Sequence, residues 1–251
     1  MDNKPAKRTS TTVITTGKGQ NKSIVASKPV ITSQTAKIAG GNQVDIVFVF
    51  DTTGSMDDEI DGLLSTCTQF VSETQSMGLD ANFELISFGD ISVPGGGDKI
   101  EVVTPLTGEI ERIKFGLSHI PRNNGFGNVG ETCLEAIQEA FRTQYRPKSV
   151  KVLILITDEP AITERFTPEQ IIRELKHREY LTFVIAIDTP YYRDMALNNG
   201  GIWKQISSDT DLSEILRIFN EIAKKVSVVT KQVHLLGGSV SKYLALNPPK
   251  R

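Results

Sequence analysis

The sequence predicts an α/β fold, a mainly parallel six-stranded sheet with helices on both faces, and three observations carry that expectation. Short apolar runs of strand length recur along the chain, at 44–50, 83–88, 100–106, 151–157, 182–188 and 202–206. Segments with apolar residues at helical spacing lie between them, and that alternation is the signature of strand–helix–strand crossovers with both sheet faces covered. Two of the most apolar runs, Val44–Phe50 and Lys151–Thr157, end directly in an aspartate, Asp51 and Asp158. In open α/β sheets ligands bind outside the carboxyl ends of the strands where strand order reverses, so both aspartates are expected to share one crevice.

The helices follow from spacing. Ile60, Leu63, Leu64, Cys67, Phe70 and Val71 make one apolar stripe that stops near Gly78, with its amino end at the loop after the first strand. Further stripes are Ile110, Ile113, Leu117 and Ile120, then Cys133, Leu134, Ile137, Ala140 and Phe141, then Ile171, Ile172 and Leu175. Thr167 before Pro168 is a helix opening, a capping hydroxyl followed by a residue suited to the first turn. A last helix is expected over 209–227, carrying Leu212, Ile215, Leu216, Phe219, Ile222, Ala223 and Val226. These stripes are core faces, and none calls for a cofactor.

The loop after the first strand, Asp51-Thr52-Thr53-Gly54-Ser55, places oxygen-bearing side chains at alternate positions: Asp51, Thr53 and Ser55. One carboxylate and two hydroxyls suit a hard divalent cation but do not fill its shell, so further oxygens must come from elsewhere. Asp57, Asp58, Glu59 and Asp61 read more simply as first-turn carboxylates favoured by a helix dipole, whose field also helps retain a cation.

Asp51-Thr52-Thr53-Gly54-Ser55-Met56 together with Ile156-Thr157-Asp158 resembles the metal-ion-dependent adhesion site of the von Willebrand factor A family. That family's first motif is Asp-x-Ser-x-Ser, and Thr53 in place of the first serine keeps the hydroxyl. The resemblance covers about residues 43 to 227 and implies a Rossmann-like, doubly wound sheet whose short run 100–106 is an antiparallel edge strand. It also implies a ligand from a middle loop, Gly125–Ile137, which can be aligned in two ways. Read as the Gly-Gly-Asp-x-Pro-Glu version common in intracellular members, Asn128 takes the Asp position and Glu131 the Glu; read as the Gly-Asp/Glu-Thr version, Thr132 is the ligand. Thr132 is favoured, because a hydroxyl can reach the ion directly or through water whereas Asn128 offers one neutral carbonyl oxygen.

The implied cofactor is Mg²⁺, with Mn²⁺ or Ca²⁺ as substitutes, and the implied function is a non-catalytic protein–protein interaction module. It captures an Asp or Glu of a partner on the ion, as an adaptor of the intracellular bacterial type in assemblies with ATPase, kinase or phosphatase components. The rival from another class is a Mg²⁺-dependent phosphoaspartyl phosphatase of the haloacid dehalogenase kind, with Asp51 as nucleophile and Asp158 on the metal. That chemistry needs a lysine at the phosphoryl group, and Lys151 begins its strand at the wrong end. Gly95-Gly96-Gly97 has no following Lys-Ser/Thr, so nucleotide binding lacks its motif, and His119, His177 and His234 have no motif linking them to Ser55 for serine hydrolysis.

Composition fits one large domain: 251 residues, 39% hydrophobic and 23% charged, with a formal net charge of -2 that gives no drive toward nucleic acid or anionic membrane. No apolar run reaches the roughly 18 residues of a membrane span, and the N-terminus lacks a signal-peptide core, so a cytoplasmic protein is expected. Cys67 and Cys133 fall on helix stripes as buried thiols. Residues 1–41 read as a Ser/Thr/Lys-rich tail, disordered or ordered by a partner, in which Thr11–Thr15 and Ser23–Ser27 could pair as a hairpin and Gly40-Gly41 marks the boundary. The domain is expected over 42–227, with 228–251 a C-terminal extension.

Overall fold

The computed structural model describes residues 42–93, 97–122, 130–162, 165–206, 210 and 212–249. The tail with its two strand-like segments, and Asn128 of the middle loop, lie outside the described residues, as do the side chains of Ser55, Asp57, Asp58, Glu59 and Asp61.

Six strands form one sheet: β1 (Gln43–Asp51), β2 (Asp80–Phe88), β3 (Glu101–Thr107), β4 (Val150–Thr157), β5 (Tyr180–Ala186) and β6 (Gly200–Gln205), in the order β3-β2-β1-β4-β5-β6. All neighbours pair in parallel except β2 with β3, the antiparallel edge. The chain runs from β1 outward through β2 and β3 and then returns to β4 on the other side of β1. The switch point therefore lies between β1 and β4, where Phe50 pairs with Ile156 and both strands end.

Seven helices are described: α1 (Asp57–Ser76), α2 (Ile110–Ser118), α3 (Cys133–Ala140), α4 (Pro168–His177), α5 (Pro190–Leu197), α6 (Leu212–Leu235) and α7 (Val240–Leu246). Alternation along β1 splits the core in two. Val44, Ile46, Phe48 and Phe50 face a cluster with Phe70 of α1, Leu117 of α2 and Phe219 of α6, whereas Val47 and Val49 face Ile137 of α3, Leu175 of α4 and Met195 of α5. Phe48 is the hub of the first layer, with Phe50, Phe70, Phe83 and Phe219 within 6.4 Å between ring centroids. Buried on both faces, β1, β4 and β5 are the apolar runs that a parallel sheet requires.

Local signals explain the helix ends. Thr167 caps α4 in a complete capping box with Gln170, with Pro168 in the first turn. The α1 stripe stops where Gly78 takes φ +78°, a left-handed conformation natural to glycine. The helix after β5, α5, is absent from the spacing-based expectation, although Thr189 accepts the Tyr192 N–H and Pro190 follows, the same opening as α4. Its buried face is only Tyr192, Met195 and Ala196, too short for periodicity to stand out. The last long helix runs to Leu235, eight residues past 227, because Val229 and Val233 continue its buried stripe. After it, Ser239 caps α7, and Val240 and Tyr243 join the first core layer.

The amino end of β1 carries a polar clamp. Asp45 is fully buried and accepts bonds from the Arg146 N–H (2.7 Å), Arg146 Nε (2.7 Å) and Ser149 Oγ (2.7 Å). The same guanidinium donates to the Val44 and Asp80 carbonyls and to Asp80 Oδ1, so one side chain joins β1, β2 and the loop before β4. Among the described residues no helix is long and apolar enough to cross a membrane.

Candidate metal site

At the opposite end of β1, Asp51 has no exposed surface. Its Oδ1 accepts the Thr53 N–H at 3.0 Å and the Thr53 hydroxyl at 2.6 Å, and its Oδ2 accepts the Thr157 hydroxyl at 2.6 Å. Thr53 lies in the loop, two residues on, where an aspartate commonly takes the following backbone N–H into an Asx-type turn. Thr157 ends β4 directly opposite Asp51 as the register continues from Phe50 and Ile156. Next along, Asp158 is half-buried and adds its charge to the field at Asp51.

Two further loops reach this end of the sheet. The Thr52 N–H and hydroxyl both donate to the Phe88 carbonyl, each at 3.0 Å, tying the β1 loop to the end of β2. Thr132, the residue before α3, is buried; its hydroxyl donates to the Gly89 carbonyl at 2.6 Å and accepts the Ile91 N–H at 3.3 Å. Its neighbour Cys133 packs in the core layer that holds Val47 and Val49, which places this segment beside β1. Glu131 in turn bridges to the loop after β4, its N–H donating to the Pro160 carbonyl at 2.8 Å and its carbonyl accepting the Ile162 N–H at 2.9 Å. Gly130 permits this approach: it takes φ +110°, and a Cβ there would meet the Pro160 oxygen at 2.9 Å.

The structure thus brings Asp51, Thr53, Thr132 and Asp158 to one end of the sheet. Ser55 lies in a short 3-10 turn, Gly54–Met56, that leads into α1, and its side chain is outside the described residues. Asn128 lies outside the described residues, so the geometry speaks only to Thr132 of the two middle-loop candidates. Asp90 is not named from the sequence, Glu131 is named only in one alignment of the middle loop, and Thr157 enters as part of the strand-end motif with no role of its own. A hydroxyl at the last position of an otherwise apolar strand was the available signal for Thr157.

Electrostatics at this end are one-sided. Burial pushes Asp51 up to about 6 from its ordinary 3.8, against the lowering effect of the Thr157 and Thr53 bonds and with help from Asp158. Glu131 is pushed up to about 9 by burial and by the charges of Asp51, Asp90, Asp98 and Glu159. Burial raises Glu159 as well, with Asp158 adding to the rise and the Gly130 N–H opposing it. Among the described residues neither Asp51 nor Glu131 is in an ion pair, whereas the buried Asp45 at the other end has Arg146.

These residues fit a hard divalent cation. The Thr53 proton is committed to Asp51, the Thr132 proton to Gly89 and the Thr157 proton to Asp51, so toward any further neighbour each oxygen is an acceptor, as a metal ligand must be. Among the described residues no three His, Cys, Asp or Glu side chains form a metal-holding group by themselves. A cation here therefore relies on hydroxyl and water oxygens beside the carboxylates, the mixed shell that Mg²⁺ accepts.

A pH dependence follows for the metal-free protein. The fold keeps a proton on Asp51 that the unfolded chain releases near pH 4, so this contribution is complete below pH 4 and is lost as pH rises through about 6. The loss is about 3 kcal/mol for Asp51 alone. Urea unfolding in chelator should give a falling midpoint between pH 5 and pH 7, and saturating Mg²⁺ should flatten the slope; a chelated protein with a level midpoint would contradict the burial argument.

The geometry agrees with known proteins. Residues 45–225 match the family model described as von Willebrand factor type A domain. Inter-alpha-trypsin inhibitor heavy chain H4 of Sus scrofa is 27% identical over 191 residues, and inter alpha-trypsin inhibitor heavy chain 4 of Mus musculus is 25% identical over 191 residues. Each alignment takes in 71% of this chain but only 20% of the relative, so the chain spans about a fifth of the length of these relatives. Among solved structures, proximal thread matrix protein 1 from the mussel byssus superposes with a TM-score of 0.55 at 20% identity, over 74% of this chain and 48% of that one. The pilus adhesin SpaC from Lactobacillus rhamnosus GG, in its open conformation, gives 0.53 at 17% identity, over 74% of this chain and 30% of that one. The sheet order, the antiparallel edge and the match over 45–225 together show that the chain belongs to the von Willebrand factor type A domain family.

Proposed function

We propose that the chain is a non-catalytic interaction module that holds a divalent cation at a metal-ion-dependent adhesion site and uses it to capture an Asp or Glu side chain of a partner protein. Domains of this family mediate protein–protein interactions and often use a divalent cation to do so. The residues that would hold the ion are Asp51, Thr53, Ser55, Asp158 and Thr132, with Asn128 the alternative in the middle loop. Mg²⁺ suits the small oxygen set, and Mn²⁺ or Ca²⁺ can substitute. One observation carries the reading: Asp51 is fully buried, bonded on both oxygens by hydroxyls, and joined to no described cation.

When bound, the ion supplies positive charge and an open coordination position. The chain's own part is to fix that position. Asp51 is locked by Thr53 and Thr157, Thr132 is locked by Gly89 and Ile91, and the Glu131–Pro160 bridge fastens the loop that follows Asp158. An adaptor role among ATPase, kinase or phosphatase components is part of this reading. So is a place among the intracellular bacterial-type members, which rests on the motif resemblance alone.

The phosphoaspartyl alternative finds no support in the position of Lys151. That residue starts β4, its Nζ donates to the Arg178 carbonyl at 3.0 Å and lies over the Tyr145 and Tyr180 rings, at the end of the strand opposite Asp158. His234 contacts the Gln43 carbonyl at 2.9 Å, likewise at the amino end of β1.

The test uses Mn²⁺ in place of Mg²⁺ and acetate in place of the partner's carboxylate. An ion with an open position keeps exchangeable water, so the Mn²⁺-loaded protein should enhance water-proton relaxation, and acetate should lower that enhancement by displacing water. No response to acetate would make the site a closed structural one. Hydrolysis of phosphate esters that is lost with Asp51→Asn would overturn the non-enzyme reading instead.

A further inference from the structure

We propose that the cavity at the amino ends of β4 and β5, at the end of the sheet opposite the candidate cation site, is an anion site that takes the phosphate group of a small phosphate monoester on Lys151 and Arg178. The cavity measures about 510 Å³, within the range of small-molecule pockets, and its walls come from three places. Lys151 stands on β4, Arg178 and Glu179 lead from the end of α4 into β5, and Gly238 and Val240 belong to the segment after α6. That last wall lies beyond residues 45–225, so the cavity depends on this chain's C-terminal extension and is not part of the family match.

Charge here has the sense opposite to that at the cation site. The segments that enter the two strands, 146–151 and 176–180, carry Arg146, Lys148, Lys151, Lys176 and Arg178 against one acid, Glu179. Glu179 is already engaged: its Oε1 accepts the Ser239 hydroxyl at 2.8 Å and the Ser241 N–H at 3.4 Å. Lys151 forms no ion pair among the described residues, and its Nζ makes one hydrogen bond there, to the Arg178 carbonyl at 3.0 Å, which leaves N–H groups for a ligand. Burial lowers the Lys151 pKa, with Glu179 opposing and Arg178 adding to the fall, and a bound anion would offset that cost. Arg178 is held from one side, its Nε 3.0 Å from Glu174 Oε2 and its guanidinium carbon 4.8 Å from the centre of the Phe141 ring. No described residue takes its terminal nitrogens, so they form a preset fork of the kind that suits phosphate.

The backbone at this end is unusual on both strands. Lys148 and Glu179 take φ of 68° and 59°, the positive-φ non-glycine residues among those described, and they precede β4 and β5, which pair as neighbours with Lys151 opposite Tyr180. Such conformations persist where surrounding contacts over-determine them, and they gather at ligand sites. Glu179 is secured by its two bonds to the segment after α6. Beside Gly238 the space is open, since a Cβ there would meet no atom within 4 Å. An anion bound here would sit between β4 and the C-terminal segment and tie the two together.

The test titrates the full chain, dialysed free of metal, with inorganic phosphate and with glycerol phosphate, against sodium chloride of equal ionic strength, and reads the heat of binding. Saturable binding of both phosphates is expected, the ester at least as tight as the inorganic ion because the cavity has room for it. Lys151→Met keeps a side chain over the Tyr145 and Tyr180 rings and removes the charge, and Arg178→Gln removes the fork. Each should weaken phosphate binding about tenfold or more. Circular dichroism melts establish that the variants fold; should Lys151→Met not fold, Arg178→Gln, whose side chain is 44% exposed, decides alone.

No saturable binding by the unaltered protein, or binding of equal strength in the folded variants, would overturn the proposal. So would a response that sodium chloride reproduces, or binding of inorganic phosphate without the ester.

Discussion

Asp51→Ala should abolish cation-dependent stabilisation while leaving the metal-free domain folded. A ligand that binds only the native state stabilises by about 4 kcal/mol at a thousand times its dissociation constant, so unaltered protein should gain several degrees of melting temperature in saturating Mg²⁺. The substitution removes the carboxylate that receives Thr53 and Thr157, and that gain should vanish. In chelator the same substitution removes a buried acid joined to no described cation, so the loss from its three bonds is offset by relief from burial. A thermal-shift series with Mg²⁺ and with chelator reads both effects. A metal-dependent rise that survives Asp51→Ala would place any cation elsewhere.

Arg146→Ala should have the larger effect on stability and none on cation binding. It strips the fully buried Asp45 of its ion-pair partner and leaves the Val44 and Asp80 carbonyls without their guanidinium donor. Breaking a buried pair from one side costs about 3–5 kcal/mol, a fall of roughly 10 °C for a chain of this size. Replacing Asp45 by Asn alongside Arg146→Ala should recover part of the loss, because no uncompensated charge then remains. Since the clamp lies at the amino end of β1 and the candidate site at its carboxyl end, the Mg²⁺-dependent rise in melting temperature should be retained. A cost below 1 kcal/mol would show that water takes over the Arg146 bonds.

The two ends of β1 also show what could be read from the sequence and what could not. The apolar run Val44–Phe50 and its terminal Asp51 are visible because a strand buried on both faces has few composition choices. Asp158 is visible for the same reason at the end of β4. The capping box at Thr167 is a local device and could be placed to the residue. The antiparallel edge came from the family resemblance, and the β2–β3 pairing agrees with it.

What escaped depends on pairing or on short faces. Thr157 bonds Asp51 only because β4 lies beside β1 in that register, which periodicity along one strand does not reveal. The buried state of Glu131 comes from a bridge to Ala161 and from the loop after β4, thirty residues away in sequence. Helix α5 offered three buried residues where a confident stripe needs more, although Thr189 and Pro190 carried the same start signal as α4. Strand β2 begins at Asp80 rather than 83 because Gln43–Asp45 pair with Asp80–Asn82, and a strand end fixed by its neighbour has no signature of its own. Between Asn128 and Thr132, the sequence offered two alignments of one glycine-rich loop. The structure accounts for the Thr132 hydroxyl, bonded to Gly89 and Ile91, and that is the observation behind keeping it in the proposed ligand set.

The most direct measurement is a titration of the full chain with Mn²⁺ at pH 7, counting bound ions from the loss of the free-ion EPR signal. The account predicts saturable Mn²⁺ binding that Mg²⁺ competes away and that Asp51→Ala eliminates. Absence of saturable Mn²⁺ binding, or binding of equal strength in Asp51→Ala, would contradict it.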